Sequence, residues 1–330
     1  MKKGFILALL CLMLFGGVLL YADDPIVRVR IIYTLDEIIL ESDSKISIYD
    51  QDDEHEQLRG KNTFFVMLDQ GDLVLRGENN KLLRRGSSLL IKNHDANSSI
   101  KIKQVPYGIG WWWAGAEDRS YQGSLEFYIN ENNQIDVVNV LDIETYLYGV
   151  VPSEIGVTAP IEALKAQAVC ARSEAMVGLR TGKYAGPHHT LTADVMCQVY
   201  SGNGKTNNAV RNAVNATKGE VLVYHDTIIS AYYASNCGGH SENIENVWPE
   251  RSTHKVYWSG RPDMDEKMSL DLTQADDIRT WIESEPDSWC KPSNITPEWS
   301  KKYFRWQRSI TPEILSTAVA EQYRDIGRIY

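Results

Sequence analysis

Three carboxyl groups in the middle of the chain are candidates for acid–base chemistry. Glu154 ends a loop-like Val-Pro-Ser-Glu stretch, and Asp142 and Glu144 precede it on a strand or turn. A glutamate donates a proton near neutral pH only if an apolar pocket raises its pKa. Ile155 and Val157 predict such partial burial for Glu154, whereas the other two acids are expected to stabilise their turn. The alternative is a solvated glutamate just before a helix, favoured by the helix dipole.

Several histidines and cysteines are of the types that bind zinc. They are His188, His189, Cys197, Cys237 and His240. A stable zinc site needs three or four such ligands. A disulfide or a buried thiol is the alternative for the cysteines.

Four cysteines remain once Cys11 in the N-terminal segment is set aside, and they permit three complete pairings. Cys237 with Cys290 is the preferred pair, because Cys170 falls within a predicted helix and is expected in the core.

The elements that must position these groups begin with strands. Residues 23–104 alternate apolar and polar side chains, as at 26–31 and 45–49, and acidic or Gly/Asn clusters separate the runs. Residues 124–129 and 135–140 predict a hairpin. For the run Trp111–Trp113 we expect core packing, with a platform for stacking sugars as the alternative.

The clearest helix is predicted to begin near Thr158, with Pro160 in its first turn, and to end at Gly182. Its apolar stripe is Ile161, Leu164, Ala168, Ala171, Ala175 and Leu179. Lys165 and Arg172 share one face of this helix. An ion pair with Glu162 or Glu174 on the helix surface is an alternative role for Arg172. A second helix near 207–216 and strands at 220–224 and 228–234 are predicted to follow.

The predicted fold is therefore α+β: an N-terminal β-rich region is followed by a mixed α/β core with one long helix after the Pro-Ser-Glu loop. The predicted divisions are residues 1–22, 23–118 and 119–330.

Composition and the N-terminus restrict the class of protein. The chain has 330 residues and a net charge of −10, which argues against a dedicated nucleic-acid binder. Met1-Lys2-Lys3 precedes an uncharged apolar run at 4–20, the layout of a secretory signal, and cleavage is plausible after Ala22. An uncleaved membrane anchor is the alternative. We expect export to the periplasm, cell wall or extracellular space.

Blocks of sequence in a fixed order carry a family resemblance. They are LDIETYLYGVVPSE at 141–154, ALKAQAVCARS at 163–173, DVMCQVYSG at 194–202, ATKGE at 216–220 and YASNCGGHSE at 233–242, followed by VW at 247–248. With these blocks the chain resembles the stage II sporulation protein D/LytB family of cell-wall proteins, which includes lytic transglycosylases and amidase enhancers. The similarity is dense over residues 119–248.

The resemblance implies lytic cleavage of peptidoglycan glycan strands in cell-wall remodelling, with Glu154 as the catalytic acid and Arg172 as a required arginine. In a lytic mechanism the sugar's own C6 hydroxyl replaces water, so one carboxyl suffices and the product ends in a 1,6-anhydro sugar; most glycosidases use two carboxyls. Arg172 could hold a substrate carboxylate through a bidentate pair. The expected cleft residues are Ser153, Lys165, Gln167, Gln198, Tyr200, Ser235, Gly238 and Gly239.

The resemblance also leaves a second function open, a non-catalytic wall-binding protein that stimulates a cell-wall amidase. The expected partners are peptidoglycan glycan strands and such an amidase, and no nucleic acid. Many family members carry a C-terminal motif like Gly-His-Gly-Val-Gly-Met-Ser-Gln, which this sequence lacks; if that motif completes the cleft, the protein would bind glycan without cutting it. Zinc-binding members have a second cysteine where Leu191 stands here, so no metal or other cofactor is expected.

Overall fold

A computed structural model of the chain describes residues 24–34, 36–50, 53–111, 113–249, 256–265, 268–295 and 298–322. They form two compact units, Met1–Tyr232 and Tyr233–Tyr330. The predicted signal segment 1–22 lies outside the described residues. Within the described ranges, no helix combines the length and apolarity needed to cross a membrane.

Most strands of the first unit lie in two sheets whose strand pairs are antiparallel, apart from one parallel pair. In chain order the strands are β1 (Ile26–Thr34), β2 (Ile38–Ser42), β3 (Ile46–Asp50), β4 (Asp53–Leu58), β5 (Asn62–Asp69), β6 (Asp72–Arg76), β7 (Leu82–Gly86), β8 (Ser88–Asn93), β9 (Ile100–Tyr107), β10 (Gly115–Tyr121), β11 (Ser124–Ile129), β12 (Ile135–Asp142), β13 (Leu191–Thr192), β14 (Val223–Tyr224) and β15 (Thr227–Ile228). One sheet has the order β13-β1-β12-β11-β8-β3-β4, the other β10-β9-β2-β5-β6-β7, and β14 pairs with β15.

The first sheet connects the N-terminal strands to the segment that leads into the candidate site. β1 pairs with β12 from Ile26 opposite Asp142 to Thr34 opposite Ile135, and β13 adds to the other side of β1 in parallel. Strands from both sides of residue 118 therefore share this sheet. Every residue of β12 is buried or half-buried, so its C-terminal end is a rigid start for the next helix.

Among the described residues, three helices complete the first unit and four more lie in the second. They are α1 (Ile143–Glu154), α2 (Ile161–Thr181), α3 (Asn208–Ala216), α4 (Ile244–Val247), α5 (Ala275–Glu283), α6 (Glu298–Lys301) and α7 (Pro312–Gln322). Short 3-10 turns occur at Glu78–Asn80 and Val256–Trp258. Buried apolar residues of both large sheets and of α1, α2 and α3 form one contiguous core. The α+β fold class is thereby confirmed.

The main predicted elements are confirmed with small shifts at their ends. The 124–129 and 135–140 hairpin is present as β11 and β12. The long helix starts at Ile161 with Pro160 as its cap, and it ends before Gly182, whose φ of 68° is left-handed. Glycine adopts this conformation without the clash that a Cβ atom causes.

Three details of the prediction are wrong. Residues 151–154 were expected in a loop but form the last turn of α1. The strands expected at 220–224 and 228–234 are reduced to the two-residue pair β14 and β15. Trp111 and Trp113 are 56% and 39% exposed, so core packing is wrong for them; Trp112 lies outside the described residues.

Candidate functional site

Glu154 is the last residue of α1, a helix that is fixed in place by a cap at its start and by buried side chains along its length. The Asp142 carboxylate caps the start by accepting a hydrogen bond of 2.8 Å from the Thr145 N–H. Along the helix, buried residues include Tyr146, Leu147 and Val150. The helix therefore presents Glu154, which is half-buried, at a fixed place on the first unit.

Pro152 lies inside the final turn of α1, which explains why a loop was predicted there. Proline in a helix interior removes one backbone hydrogen bond and crowds the preceding turn. Here that cost falls on the last turn, where Val151 and Pro152 are themselves buried. Ser153 adds a hydrogen bond from its hydroxyl to the Gly149 carbonyl at 2.7 Å. Burial and this extra bond offset the loss, so the helix continues to Glu154.

The segment 198–201 packs against the end of α1 and fixes the Glu154 carboxyl. The Val199 N–H donates a hydrogen bond of 2.6 Å to Glu154 Oε1. The hydroxyls of Ser153 and Ser201 lie 2.5 Å apart. Both contacts come from one short stretch of chain. The Val199 N–H orients the Glu154 carboxyl, and the contact between the Ser153 and Ser201 hydroxyls orients the end of the helix. Neither Val199 nor Ser201 was predicted as a site residue, although both lie in the DVMCQVYSG block.

Gln198 and Tyr200 support this segment from the inside. The Gln198 side-chain amide donates to the Ala171 carbonyl on α2 at 3.2 Å. Tyr200 is fully buried and donates its hydroxyl to Asn139 Oδ1 on β12 at 2.7 Å. Burial raises the pKa of the Tyr200 hydroxyl well above its usual range. These two residues tie the segment to α2 and β12; direct contact with a substrate stays a prediction.

Arg172 forms a buried ion pair with Glu144, which was not among the partners considered for it. Arg172 is 1% exposed, and its Nε and Nη2 donate to the two Glu144 carboxylate oxygens at 2.8 and 2.7 Å. Its Nη1 donates to the Glu220 carbonyl at 3.0 Å. The Gly219 N–H also donates to Glu144, at 3.2 Å. The pair thus joins α1, α2 and the segment at 219–220.

This placement corrects the alternative surface ion pair of Arg172 with Glu162 or Glu174. Glu162 pairs with Lys165 at 2.8 Å on the helix surface. Glu174 is buried and accepts from Lys183 at 2.7 Å and from Tyr184. Burial raises the Glu174 pKa, but these hydrogen bonds outweigh it and the net shift is downward.

Gln167 is the predicted cleft residue with an unmet hydrogen-bonding requirement. Its side-chain nitrogen is buried and has no hydrogen-bond partner. A buried amide donor without a partner costs about 1–3 kcal/mol, and such groups in native proteins call for an explanation. Contact of Gln167 with a substrate oxygen stays a prediction.

Ser235, Gly238 and Gly239 lie in the second unit, whereas the other predicted site residues lie in the first. The Ser235 carbonyl accepts a hydrogen bond from the Ser300 hydroxyl at 2.9 Å. Gly238 and Gly239 adopt left-handed φ angles of 68° and 94° directly after Cys237. Their freedom from a Cβ allows this sharp turn.

The histidines and cysteines considered for zinc do not assemble as one set among the described residues. The group of three potential ligands that does come together there is Cys237, Asp263 and Cys290. The predicted pair Cys237 and Cys290 has its sulfur atoms 3.5 Å apart, and both thiols are free. Burial raises the pKa of the Cys197 thiol to about 12, which suits a structural thiol.

The segment that contains Glu154 is similar to segments of known proteins. Residues 131–224 match the model of the Stage II sporulation protein (SpoIID) family. An uncharacterized protein of Brachyspira hyodysenteriae is 42% identical over 128 residues, which are 39% of this chain and 34% of that protein. The amidase enhancer of Bacillus subtilis is 31% identical over 151 residues, 46% of this chain and 20% of that protein.

A third relative is stage II sporulation protein D of Bacillus subtilis, 29% identical over 171 residues, 47% of this chain and 49% of that protein. The chain thus covers between a fifth and a half of the length of these relatives. The matches confirm the resemblance to the stage II sporulation protein D/LytB family.

Proposed function

Starting from the match of residues 131–224 to the Stage II sporulation protein family, we propose that this chain acts on the bacterial cell wall as a lytic transglycosylase. Its substrate is the glycan strand of peptidoglycan, and Glu154 is both the acid and the base. The observation that carries the proposal is the Glu154 carboxyl, half-buried at the end of α1 and oriented by the Val199 N–H at 2.6 Å.

In this chemistry Glu154 gives up one proton and receives a different one, so the carboxyl ends the reaction in its starting state. Glu154 donates its proton to the glycosidic oxygen, and the bond from that oxygen to C1 of the sugar breaks. The C6 hydroxyl oxygen of the same sugar then bonds to C1, and its proton passes to the Glu154 carboxylate. No water is consumed and the new end is a 1,6-anhydro sugar. One carboxyl therefore replaces the pair used by most glycosidases.

Glu154 is the last residue of α1. This corrects the expected alternative, in which Glu154 would be a solvated glutamate just before a helix. Ile155 and Val157 pack against the core beside it, which reduces the access of water to this end of α1.

In this mechanism Arg172 acts as a positioning residue. Its hydrogen bonds to Glu144 and to the Glu220 carbonyl hold α1 against α2. They therefore keep Glu154 in a fixed position. Lys165 and Gln167 on α2 are the proposed contacts for substrate oxygens, since Lys165 is partly exposed and the Gln167 amide needs an acceptor.

A non-catalytic role is the second candidate, because a relative of this chain is named amidase enhancer. In that case the protein binds glycan strands and stimulates a cell-wall amidase without cutting the strands itself. Both candidates place the protein outside the cytoplasmic membrane, so the proposal includes export directed by residues 1–22. Neither reaction scheme requires a metal at Glu154.

The decisive experiment compares the full chain with its Glu154→Gln variant on purified glycan strands, in mild detergent because of the apolar run at 4–20. Glutamine keeps the side-chain length and an oxygen that accepts from Val199, but it cannot donate a proton. Removal of a general acid lowers the rate by about 100- to 10,000-fold. We expect the parent to release 1,6-anhydro ends, detected by mass spectrometry, and the variant to release almost none.

Glu131→Gln is the matched control, since it makes the same change at an exposed glutamate between β11 and β12 and should leave the product yield unchanged. Reducing ends in place of anhydro ends would contradict the lytic mechanism. Stimulation of an amidase by both the parent and Glu154→Gln, with no anhydro product from either, would favour the enhancer.

A further inference from the structure

Three side chains of the second unit form a cluster that the function proposed for Glu154 does not use. Cys237, Asp263 and Cys290 each bring one potential ligand atom to within 4.8 Å of the others. We propose that they bind a thiophilic divalent cation, with Zn²⁺ as the expected ion, and that a water molecule completes its coordination. The inference concerns the second unit and does not depend on catalysis by Glu154.

The separation of the sulfur atoms fits two ligands of one ion. Two thiolates bound to tetrahedral zinc at about 2.3 Å lie about 3.8 Å apart, and Cys237 Sγ and Cys290 Sγ are 3.5 Å apart. A disulfide would require about 2.05 Å. A carboxylate oxygen is also a normal zinc ligand, at about 2.0–2.2 Å. Small movements of the three side chains would therefore close the site around an ion.

The cluster is built by backbone hydrogen bonds between three separate stretches of chain. Asp263 Oδ2 accepts from the Cys290 N–H at 3.0 Å, which orients the carboxylate toward the second cysteine. The Asp263 N–H donates to the Gly239 carbonyl, and the Trp289 N–H donates to the Asp263 carbonyl, each at 2.9 Å. Hydrogen bonds that orient a ligand in this way are typical of metal sites.

The turn after Cys237 adds to this framework. The Gly238 N–H donates to Asn236 Oδ1 at 2.8 Å, and the Asn236 amide donates to the Cys290 carbonyl at 3.0 Å. Cys237 and Cys290 are thus linked through their neighbours as well as by the contact of their sulfur atoms. Cys237 is exposed, which leaves an ion a path from solvent.

A divalent cation balances most of the charge that the cluster carries once both thiols are deprotonated. Two thiolates and one carboxylate carry three negative charges, of which a divalent ion neutralises two. Arg305, whose Nη1 donates to the Gly238 carbonyl at 2.8 Å, offsets part of the remainder. The Asp263 carboxylate supplies the third ligand of the proposed site.

Binding must release the two thiol protons. Each bound ion therefore displaces two protons into solvent, and the apparent affinity rises with pH. The earlier expectation of no metal was drawn from the set around Cys197 and did not consider Asp263 or Cys290 as ligands.

The test titrates the full chain, reduced and metal-free, with Co²⁺ and then with Zn²⁺ as competitor. We expect one Co²⁺ per chain, a near-ultraviolet sulfur-to-cobalt charge-transfer band, visible bands typical of tetrahedral cobalt, and loss of both on adding Zn²⁺. Cys237→Ser should weaken binding by about 100-fold, and Asp263→Asn by at least about tenfold.

Matched controls remove the same groups elsewhere. Cys170→Ser and Asp287→Asn should keep the cobalt spectrum and the stoichiometry, since neither residue belongs to the cluster. The proposal is overturned if the chain binds no stoichiometric cobalt, if Cys237→Ser leaves the spectrum intact, or if the protein isolated without reductant is metal-free with a Cys237–Cys290 disulfide, seen as a peptide lighter by two hydrogens. Circular dichroism that matches the parent shows that a variant which fails to bind is folded.

Discussion

Replacing Glu144 by glutamine should destabilise the first unit strongly because the residue is buried. The substitution changes only one functional group, the carboxylate. Glutamine preserves the shape of the side chain and one acceptor oxygen. It removes the negative charge that faces Arg172 through two hydrogen bonds of 2.8 and 2.7 Å. The guanidinium then stays buried with backbone carbonyls as its remaining acceptors.

The magnitude follows from the geometry of the pair. Two unit charges about 4 Å apart attract by about 4 kcal/mol at an effective dielectric constant of about 20. Removing one partner of a buried pair costs about 3–5 kcal/mol, because the other charge is left without compensation. Glutamine retains one hydrogen bond to Arg172, and the Glu220 carbonyl at 3.0 Å persists. We therefore expect a loss of about 3 kcal/mol in the free energy of unfolding.

Hydrogen exchange measured by mass spectrometry at increasing denaturant isolates this effect, because it reports on peptides of α2 separately from the second unit. Glu162→Gln is the control, since it breaks an exposed pair with Lys165, and such pairs contribute less than about 1 kcal/mol. A Glu144→Gln protein whose α2 amides exchange like those of the control would refute the reasoning that the buried pair stabilises the helix contact.

Three further predictions concern the scaffold around this pair. Burial, with a smaller effect of nearby positive charge, lowers the pKa of His189. The unfolded chain therefore binds a proton at this residue at a higher pH than the folded chain does, so stability should fall as pH decreases from about 6.5. His189→Gln should remove this pH dependence from denaturation curves. Tyr200→Phe deletes the donor to Asn139 Oδ1 at 2.7 Å, so we expect about 1–2 kcal/mol less stability by chemical denaturation, and an unchanged value would count against that bond. Gly149→Ala would place a Cβ 2.5 Å from the Gly202 carbonyl oxygen; overpacking of this kind costs about 1–3 kcal/mol, and glycan cleavage should fall with it because α1 carries Glu154.

The periodicity of apolar residues along the sequence was sufficient to predict the strands and helices that pack on one face. β1 alternates buried Val27 and Val29 with half-exposed arginines, and α2 ends where Gly182 predicts. The end of α1 was missed because Pro152 normally stops a helix. Its burial against the core, which depends on chain segments distant in sequence, outweighs that local preference.

The same distinction applies to the candidate site. The resemblance located Glu154, since the acid lies within one continuous block of sequence. The partners of that block could not be read from spacing: Arg172 and Glu144 are 28 residues apart, and Val199 meets Glu154 across 45 residues. Pairings at such separations are set by the packing of helices and sheets, which a single sequence does not encode in any local pattern.

The arginine that the resemblance requires can thus be essential without touching substrate. If Arg172 acts by holding α1 against α2, then loss of either partner should reduce glycan cleavage to the same degree, and cleavage should follow the folded fraction as temperature is lowered. If instead it holds a substrate carboxylate, Arg172→Lys should raise KM while Glu144→Gln leaves KM unchanged in the folded protein. The 1% exposure of Arg172 favours the first outcome, as does the use of its donors by Glu144 and by the carbonyls of Glu220, Val214 and Ala168. In the proposed mechanism the direct chemistry then rests on Glu154 alone, as a one-carboxyl scheme requires.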